Sequence, residues 1–423
     1  MNNDRHFFKE HFFYGWVVAG AGVLIAIMGF GTRYSFGIFL KSLEADFGVG
    51  RGATSSIFSV YMMVCCLTGV LAGWASDRYG PRKVGVLMAT FTGLSLLMTS
   101  QAGDVWQLFI TYSVLLSLGT GGIYTIVNAT SSRWFVRKRG FVVGITSSGG
   151  GVGAIVIAPF ATFLISNFDW RTAFIALGLI SWFIMAAASL LLRKDPSDMG
   201  LFPDGIKSSP PQMDIPKKKM TSQPVDLSLR QAALMSQFWL IGSVWVLLSI
   251  SLHMIFVHLV PYTIEKGIPP MDAALTLSII GFTNILGRLF IGRLSDTMDR
   301  KTLGTACALI QFGSFLWLLY AHELWMLYAF GFAFGFLWGG ASIVVTTLIG
   351  DIFGVSSLGI IMGLMNAGWS LGAAIGPVIG GYVFDVSGHY FAAFAAGATA
   401  ILIAAILIAL IRKTPHTRNI GTS

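Results

Sequence analysis

Arg288 stands in a stretch, Ile279 to Gly292, that carries no other charge. A guanidinium cannot shed its proton. Inside a bilayer it must meet an anion or a water-filled cavity, or cost roughly 3 kcal/mol on insertion scales. Its own helix face offers no carboxylate. One turn earlier, on the same face, stands Asn284. An uncompensated cation beside a neutral amide has the chemistry of half an anion site, and the missing anion would be a cargo. The planar fork suits a carboxylate held by two parallel hydrogen bonds. Each residue also has a plainer reading. Arg288 lies about 12 Å by helix rise from Asp296, close enough for its head to snorkel. Asn284 could be an amide contact between helices, as is common in membranes.

Other polar residues stand at helical spacing in apolar surroundings. Tyr124 and Asn128 share one face, as do Asn366 and Ser370, and Phe334 and Trp338. Each pair could face a cavity or fill a packing gap. His258 is a titrating group expected on the outer half of its helix, with Ser251, Met254 and Ile255 on the same face. Its alternative is a hydrogen-bonded packing residue. His253 is about 140° away around the helix, so the two histidines are not a metal pair. The three cysteines, Cys65, Cys66 and Cys307, show no metal spacing and read as reduced packing residues. No catalytic constellation, metal site or cofactor is expected.

The elements that must hold these groups are apolar helices. Hydrophobic residues make up 55% of the chain and charged residues 11%, and the mean hydropathy is +0.73. A soluble domain carries about 25% charged residues. The pattern predicts an all-α membrane protein with twelve spans, near 14–40, 53–75, 83–102, 105–129, 141–166, 171–193, 237–264, 273–294, 302–320, 324–349, 356–384 and 390–411. With both termini inside, 22 of the 28 basic residues fall on cytoplasmic segments and four, Lys41, Arg51, Arg171 and Lys266, on outer loops; Arg33 and Arg288 lie within spans. That asymmetry predicts cytoplasmic termini. It also places the net charge of +9 beside anionic lipid rather than nucleic acid.

A Pro- and Lys-rich stretch divides the chain. The expected organisation is a six-helix bundle over 1–193, a cytoplasmic linker over 194–232 and a second six-helix bundle over 233–423. The halves repeat. Gly73 to Lys83 after span two matches Gly292 to Lys301 after span eight, with Asp77 and Asp296 219 positions apart. Gly149 to Pro159 in span five matches Leu371 to Pro377 in span eleven, with the prolines 218 positions apart. Two unrelated motifs whose offsets agree within one residue indicate a duplication.

At these motifs the chain resembles the major facilitator superfamily. The resemblance implies two six-helix bundles related by a pseudo-two-fold axis around a central cavity. A narrower resemblance is to bacterial monocarboxylate transporter-like proteins and oxalate/formate antiporter-like relatives. It rests on Tyr14-Gly15-Trp16, Arg33 to Gly37, Arg133-Trp134-Phe135 with Arg139-Gly140, Asp169-Trp170-Arg171, Val257 to Pro261 and Asn284 with Arg288. It implies that Arg288 binds the substrate carboxylate and that helices 4, 10 and 11 line the cavity. It places Tyr34 where mammalian members carry a lysine, and Asn284 where they carry an aspartate. That second departure removes a carboxylate able to relay a proton. Arg33, set toward the outer end of its span, reads as an interfacial or access-path charge, or else as a second ligand. Asp77, Arg82, Asp296 and Arg300 read as cytoplasmic gating latches by the same resemblance.

The function expected is a secondary transporter of a small organic monocarboxylate such as lactate or pyruvate, with a proton as the co-substrate and a single chain in the inner membrane as the working unit. The alternative is an oxalate/formate-type or dicarboxylate exchanger. Such exchangers carry a second deep cation in helix 11, and Met365 to Tyr382 contains none. One fixed charge suits one carboxylate, unless Arg33 reaches the site. A membrane enzyme or sensor would need convergent acid–base groups or a folded extramembrane domain, and the chain suggests neither.

Overall fold

The computed structural model describes residues 13–136, 138–205, 229–295, 297–353 and 358–411. Among them, twelve helices are long and apolar enough to cross a membrane. They are α1 (Gly15–Tyr34), α2 (Arg51–Tyr79), α3 (Pro81–Ser100), α4 (Val105–Trp134), α5 (Phe141–Asn167), α6 (Trp170–Leu191), α7 (Ser236–Glu265), α8 (Pro270–Leu294), α9 (Arg300–Leu319), α10 (Leu324–Phe353), α11 (Ile361–Ser387) and α12 (Phe391–Leu410). A helix satisfies its backbone polar groups internally, which the hydrocarbon core demands. The ends are set by local chemistry. Asp169 accepts the Thr172 amide at the start of α6, and this bond holds the Asp169 carboxyl below its usual range. Asp299 accepts the Thr302 amide ahead of α9 at 3.2 Å. Pro81 and Pro270 occupy first turns, where no amide hydrogen is needed.

The helices pack as two sets of six. α1 packs on α5 and α6, and α3 on α6; α8 packs on α10, α9 on α12, and α7 on α11 and α12. The sets meet through α2 against α11 and α5 against α8. These two pairings exchange under the internal repeat, as a duplicated chain requires. Within α4 the backbone is wound as a π-helix over Phe109–Leu115. Neighbouring hydroxyls take carbonyls in this region. Ser95 donates to Thr111 O at 2.7 Å and Thr68 to Ser117 O at 2.9 Å.

The first span departs from its expected end near residue 40. The helix breaks only at Ser35 and resumes over Phe36–Phe47. The continuation carries Lys41, Glu44 and Asp46, whose charge hides it from a hydropathy reading. Arg33 therefore lies midway along the combined helix, not near its outer end. Gly37 makes this possible, because any Cβ there would strike the carbonyls of Phe256 and Val257 in α7.

Call the side where the described chain begins the near face, and the opposite side the far face. The hydrogen bonds and ion pairs that join described residues of one set to described residues of the other lie toward the far face. Buried Arg51 bonds Glu44 at 2.9 Å, Glu265 at 2.6 Å and the Tyr390 hydroxyl at 2.8 Å. Its guanidinium lies 3.7 Å from the Phe384 ring centroid. Asp385 of α11 accepts the backbone amides of Arg51 and Gly52, each at 2.8 Å. A carboxylate from one half thus caps the first turn of a helix in the other. Ser278 of α8 bonds Ile155 O of α5 at 3.2 Å. On the near face, the ion pairs among described residues stay within a half: Asp77 with Arg133 at 2.7 Å and Arg300 with Asp351 at 2.6 Å. This conformation is closed at the far face.

Removing the shared cap should loosen that closure. Asp385→Asn forfeits about 1–2 kcal/mol of charge-assisted capping. In a background with the native cysteines changed to serine, Ser55→Cys lies buried in the seam. An impermeant maleimide on the far face should label it roughly fivefold faster once Asp385 is Asn. Equal labelling rates would show that the cap does not hold the seam.

Candidate functional site

Asn284 and Arg288 lie one turn apart on α8, with Asn284 packed against α10. Asn284 is 4% exposed. Its setting follows from close packing. At Gly339 of α10, a Cβ would strike the Asn284 carbonyl and come within 3.0 Å of its Nδ2. Only glycine lets the two helices approach so closely, and the approach fixes the amide. Trp338, the residue before, is also buried. Three side-chain N–H donors on α8 and α10 have no hydrogen-bond partner: Asn284 Nδ2, Arg288 Nε and Trp338 Nε1. A buried donor left unpaired costs about 1–3 kcal/mol. Among the described residues, Arg288 forms no ion pair.

Aromatic side chains continue the site across the interface between halves. Tyr34 of α1 stacks on Phe256 of α7, with ring centroids 4.3 Å apart and planes inclined by 16°. Phe256 meets Trp338 edge-on at 5.7 Å, and Phe30 lies 6.2 Å from Tyr34. The phenols of Tyr34 and Tyr124 are within electrostatic range of Arg288. Tyr124 is 51% exposed, because its part of α4 opens toward the near face. The arrangement is a cationic donor cluster with aromatic walls. It can take a small anion with a short apolar body, binding the charge by the fork and the body by the rings.

The remaining candidates lie elsewhere. Asn128 accepts from Thr146 at 3.3 Å, a bond between α4 and α5. Asn366 is exposed and Ser370 half-buried on α11, with no contact linking either to Arg288. Phe334 packs among Phe315 and Phe330. His258 is fully buried in the far-face seam. Its Nδ1 faces the Tyr390 hydroxyl at 3.1 Å, and its Nε2 faces Pro377 O at 2.8 Å and Ser55 Oγ at 3.4 Å. Arg33 donates to the Tyr61 hydroxyl at 3.1 Å. Asp77 pairs with Arg133, Arg82 is exposed, Arg300 pairs with Asp351, and Asp296 lies outside the described residues. The sequence reading missed Phe30 and Phe256, since nothing marks a phenylalanine as cavity lining in so apolar a chain. It also missed the Arg51 network. Its members, Glu44 with Arg51, Glu265, and Asp385 with Tyr390, come from three stretches far apart in sequence.

The family model of the Major Facilitator Superfamily matches residues 22–314 and 265–422, and the chain belongs to that superfamily. Within it, the chain is similar to monocarboxylate transporter 12 of Rattus norvegicus, at 25% identity over 412 residues, covering 93% of this chain and 85% of that one. It is 26% identical to monocarboxylate transporter 13 of Bos taurus, covering 95% and 90%, and 26% identical to monocarboxylate transporter 11 of Homo sapiens, covering 95% and 84%. These relatives are transporters, not enzymes. The fold is similar to the solved structure of a bacterial homologue of the human lysosomal transporter Spinster, with a TM-score of 0.67 at 14% identity, covering 94% and 95% of the two chains.

A half-buried cation with no ion pair among the described residues should destabilise the empty protein. Arg288→Met keeps much of the side-chain volume and removes the charge. It should stabilise the ligand-free protein by about 1–4 kcal/mol, read as a rise in thermal midpoint, while removing stabilisation by carboxylates. A fall in the empty protein's midpoint would mean that Arg288 is internally compensated.

Proposed function

We propose that the protein is a secondary transporter that moves a small organic monocarboxylate, of the lactate or pyruvate kind, across the cytoplasmic membrane by alternating access. One observation carries the reading: among the described residues Arg288 forms no ion pair, and its Nε, like the Asn284 Nδ2 one turn away, has no hydrogen-bond partner. The names of the similar proteins agree with a carboxylate cargo. In this reading the near face is cytoplasmic, as the distribution of basic residues suggests. The far-face seam is the gate that must part for the outward state. Asp77 with Arg133 and Arg300 with Asp351 hold helix pairs together on the cytoplasmic side. One chain contains the whole pathway.

A bound carboxylate cancels the Arg288 charge. The loaded site therefore crosses the occluded state more cheaply than the empty one. Net movement needs another way to manage that charge, and a proton is the proposed partner. Asn284 offers no carboxylate for it. His258 bears on the gate instead. Tyr390 accepts from Arg51 and donates to His258 Nδ1, so a proton on Nδ1 would displace that donated bond and disturb the Arg51 network. A second reading, an oxalate/formate-type or dicarboxylate exchanger, is favoured by the mid-membrane position of Arg33.

Two outcomes are expected. In binding assays, Arg288→Ala abolishes monocarboxylate-induced thermal stabilisation, and Arg288→Lys weakens it by about tenfold to a hundredfold through loss of the fork. Parental affinity in Arg288→Ala would remove the residue from the site. In proteoliposomes, external unlabelled substrate accelerates efflux of labelled substrate at neutral pH, and acid narrows the gap by raising net flux. His258→Gln should blunt that response. No acceleration at any pH would defeat the charge-cancellation argument, and an intact acid response in His258→Gln would move the proton elsewhere.

A further inference from the structure

Arg33 is a second interior cation, and its partners among the described residues are a phenol and a thiol. Nε donates to Tyr61 at 3.1 Å and Nη2 faces Cys65 Sγ at 3.8 Å. Tyr61 meets Thr120 at 2.7 Å, and Thr120 donates onward to Leu116 O at 2.9 Å. This relay points the Tyr61 oxygen at the guanidinium and fixes its orientation. The Phe30 and Tyr61 rings flank the head, with centroids at 5.1 Å and 5.5 Å. Nη1 has no hydrogen-bond partner among the described residues. The second half of the chain also reaches this region. His253 of α7 is within electrostatic range of Arg33, and its ring lies 5.7 Å from that of Trp369 in α11.

Arg33 and Arg288 stand at the two ends of one run of contacts: Arg33 lies over the Phe30 ring at 5.1 Å, the rings of Phe30, Tyr34, Phe256 and Trp338 follow one another, and Gly339, next to Trp338, packs on Asn284, one turn from Arg288. The carboxylates within the twelve spans are Asp77, Glu265, Asp272, Asp351 and Asp385, and each lies in the first or last turn of its helix. The middle of the membrane region therefore holds two guanidinium charges and no anion from the protein's described residues. A monoanion cancels one charge. A dianion cancels both and meets a fork at each end.

We propose that Arg33 and Arg288 are the two poles of one site, and that the carrier also accepts short aliphatic dicarboxylates, with one carboxylate on each guanidinium. This extension rests on the reading of Arg288 given above. The aromatic strip of Phe30, Tyr34 and Phe256 would face the methylene chain between the poles. Ligand length becomes the specificity variable, because the poles are fixed on packed helices.

The test is a chain-length series on the purified full-length protein at about pH 7.5, where both carboxylates are ionised. Oxalate through adipate are compared with acetate through hexanoate by thermal stabilisation and by competition with labelled lactate. One dicarboxylate length should bind best, about tenfold or more tighter than the monocarboxylate of equal length. Arg33→Gln should lower dicarboxylate affinity at least tenfold more than monocarboxylate affinity, and Arg33→Lys should keep part of the advantage. No length optimum, or equal losses for both series in Arg33→Gln, would overturn the proposal. Should Arg33→Gln fail to fold, the parental series and Arg33→Lys decide. Parental monocarboxylate affinity in Arg288→Ala would instead overturn the underlying reading, so the two failures are distinct.

Discussion

A half-buried guanidinium near aromatic side chains, without a carboxylate among the described residues to meet it, sets the terms for the rest of the fold. Burying a charge in low dielectric is costly unless it is paired. The packing around Arg288 is nonetheless tight. Gly339 brings α10 against the backbone of Asn284, and the Trp338 indole, one residue before it, has no partner for its N–H. In the proposed function, the protein would hold its donors in place before any acceptor arrives. Such preorganisation lowers the ordering cost of binding.

The far face shows the opposite condition, with donors and acceptors matched. Arg51 meets two carboxylates, a phenol and an aromatic face, and Asp385 closes the end of α2. Burial pushes the Glu44 carboxyl above its usual range, while Arg51 pulls it down. The contrast makes physical sense. Polar groups that hold two halves together must satisfy one another. Polar groups that await a ligand must not. The two zones are joined through α7, which carries Phe256 in the aromatic strip and His258 in the seam two residues later.

Much of this was legible in the sequence. The twelve spans follow from apolar runs whose length the bilayer sets, and the duplication from two motifs whose offsets agree within one residue. Arg288 and Asn284 stood out because a lone charge in an apolar helix is chemically conspicuous. Arg33 was equally conspicuous but was placed at the wrong depth. The charged residues of Phe36–Phe47 looked like a loop, and only packing against α7 shows that they continue a helix. His258 was visible as a titratable group, but its partners Tyr390, Pro377 and Ser55 lie on three other segments. Long-range pairing of this kind leaves no periodic trace. The roles of Tyr34 and Phe256 depend on ring stacking across two helices, which spacing along one chain does not encode.

If the two faces open in turn, as proposed, the cap that Asp385 places on α2 would give the protein a thermodynamic handedness. A helix end completed by the other half would be whole in one orientation and frayed in the other. The resting population would thereby be weighted toward the closed far face before any solute is present. A solute arriving from the near side would find the receptive form ready. A solute arriving from the far side would first meet the free energy of uncapping, and its apparent dissociation constant would be inflated by the reciprocal of the receptive fraction. The same binding groups would then show two different half-saturation concentrations, one for each side of the membrane. Kinetic asymmetry of this sort would come from a helix terminus some distance from the ligand, with no difference in the contacts that the ligand makes.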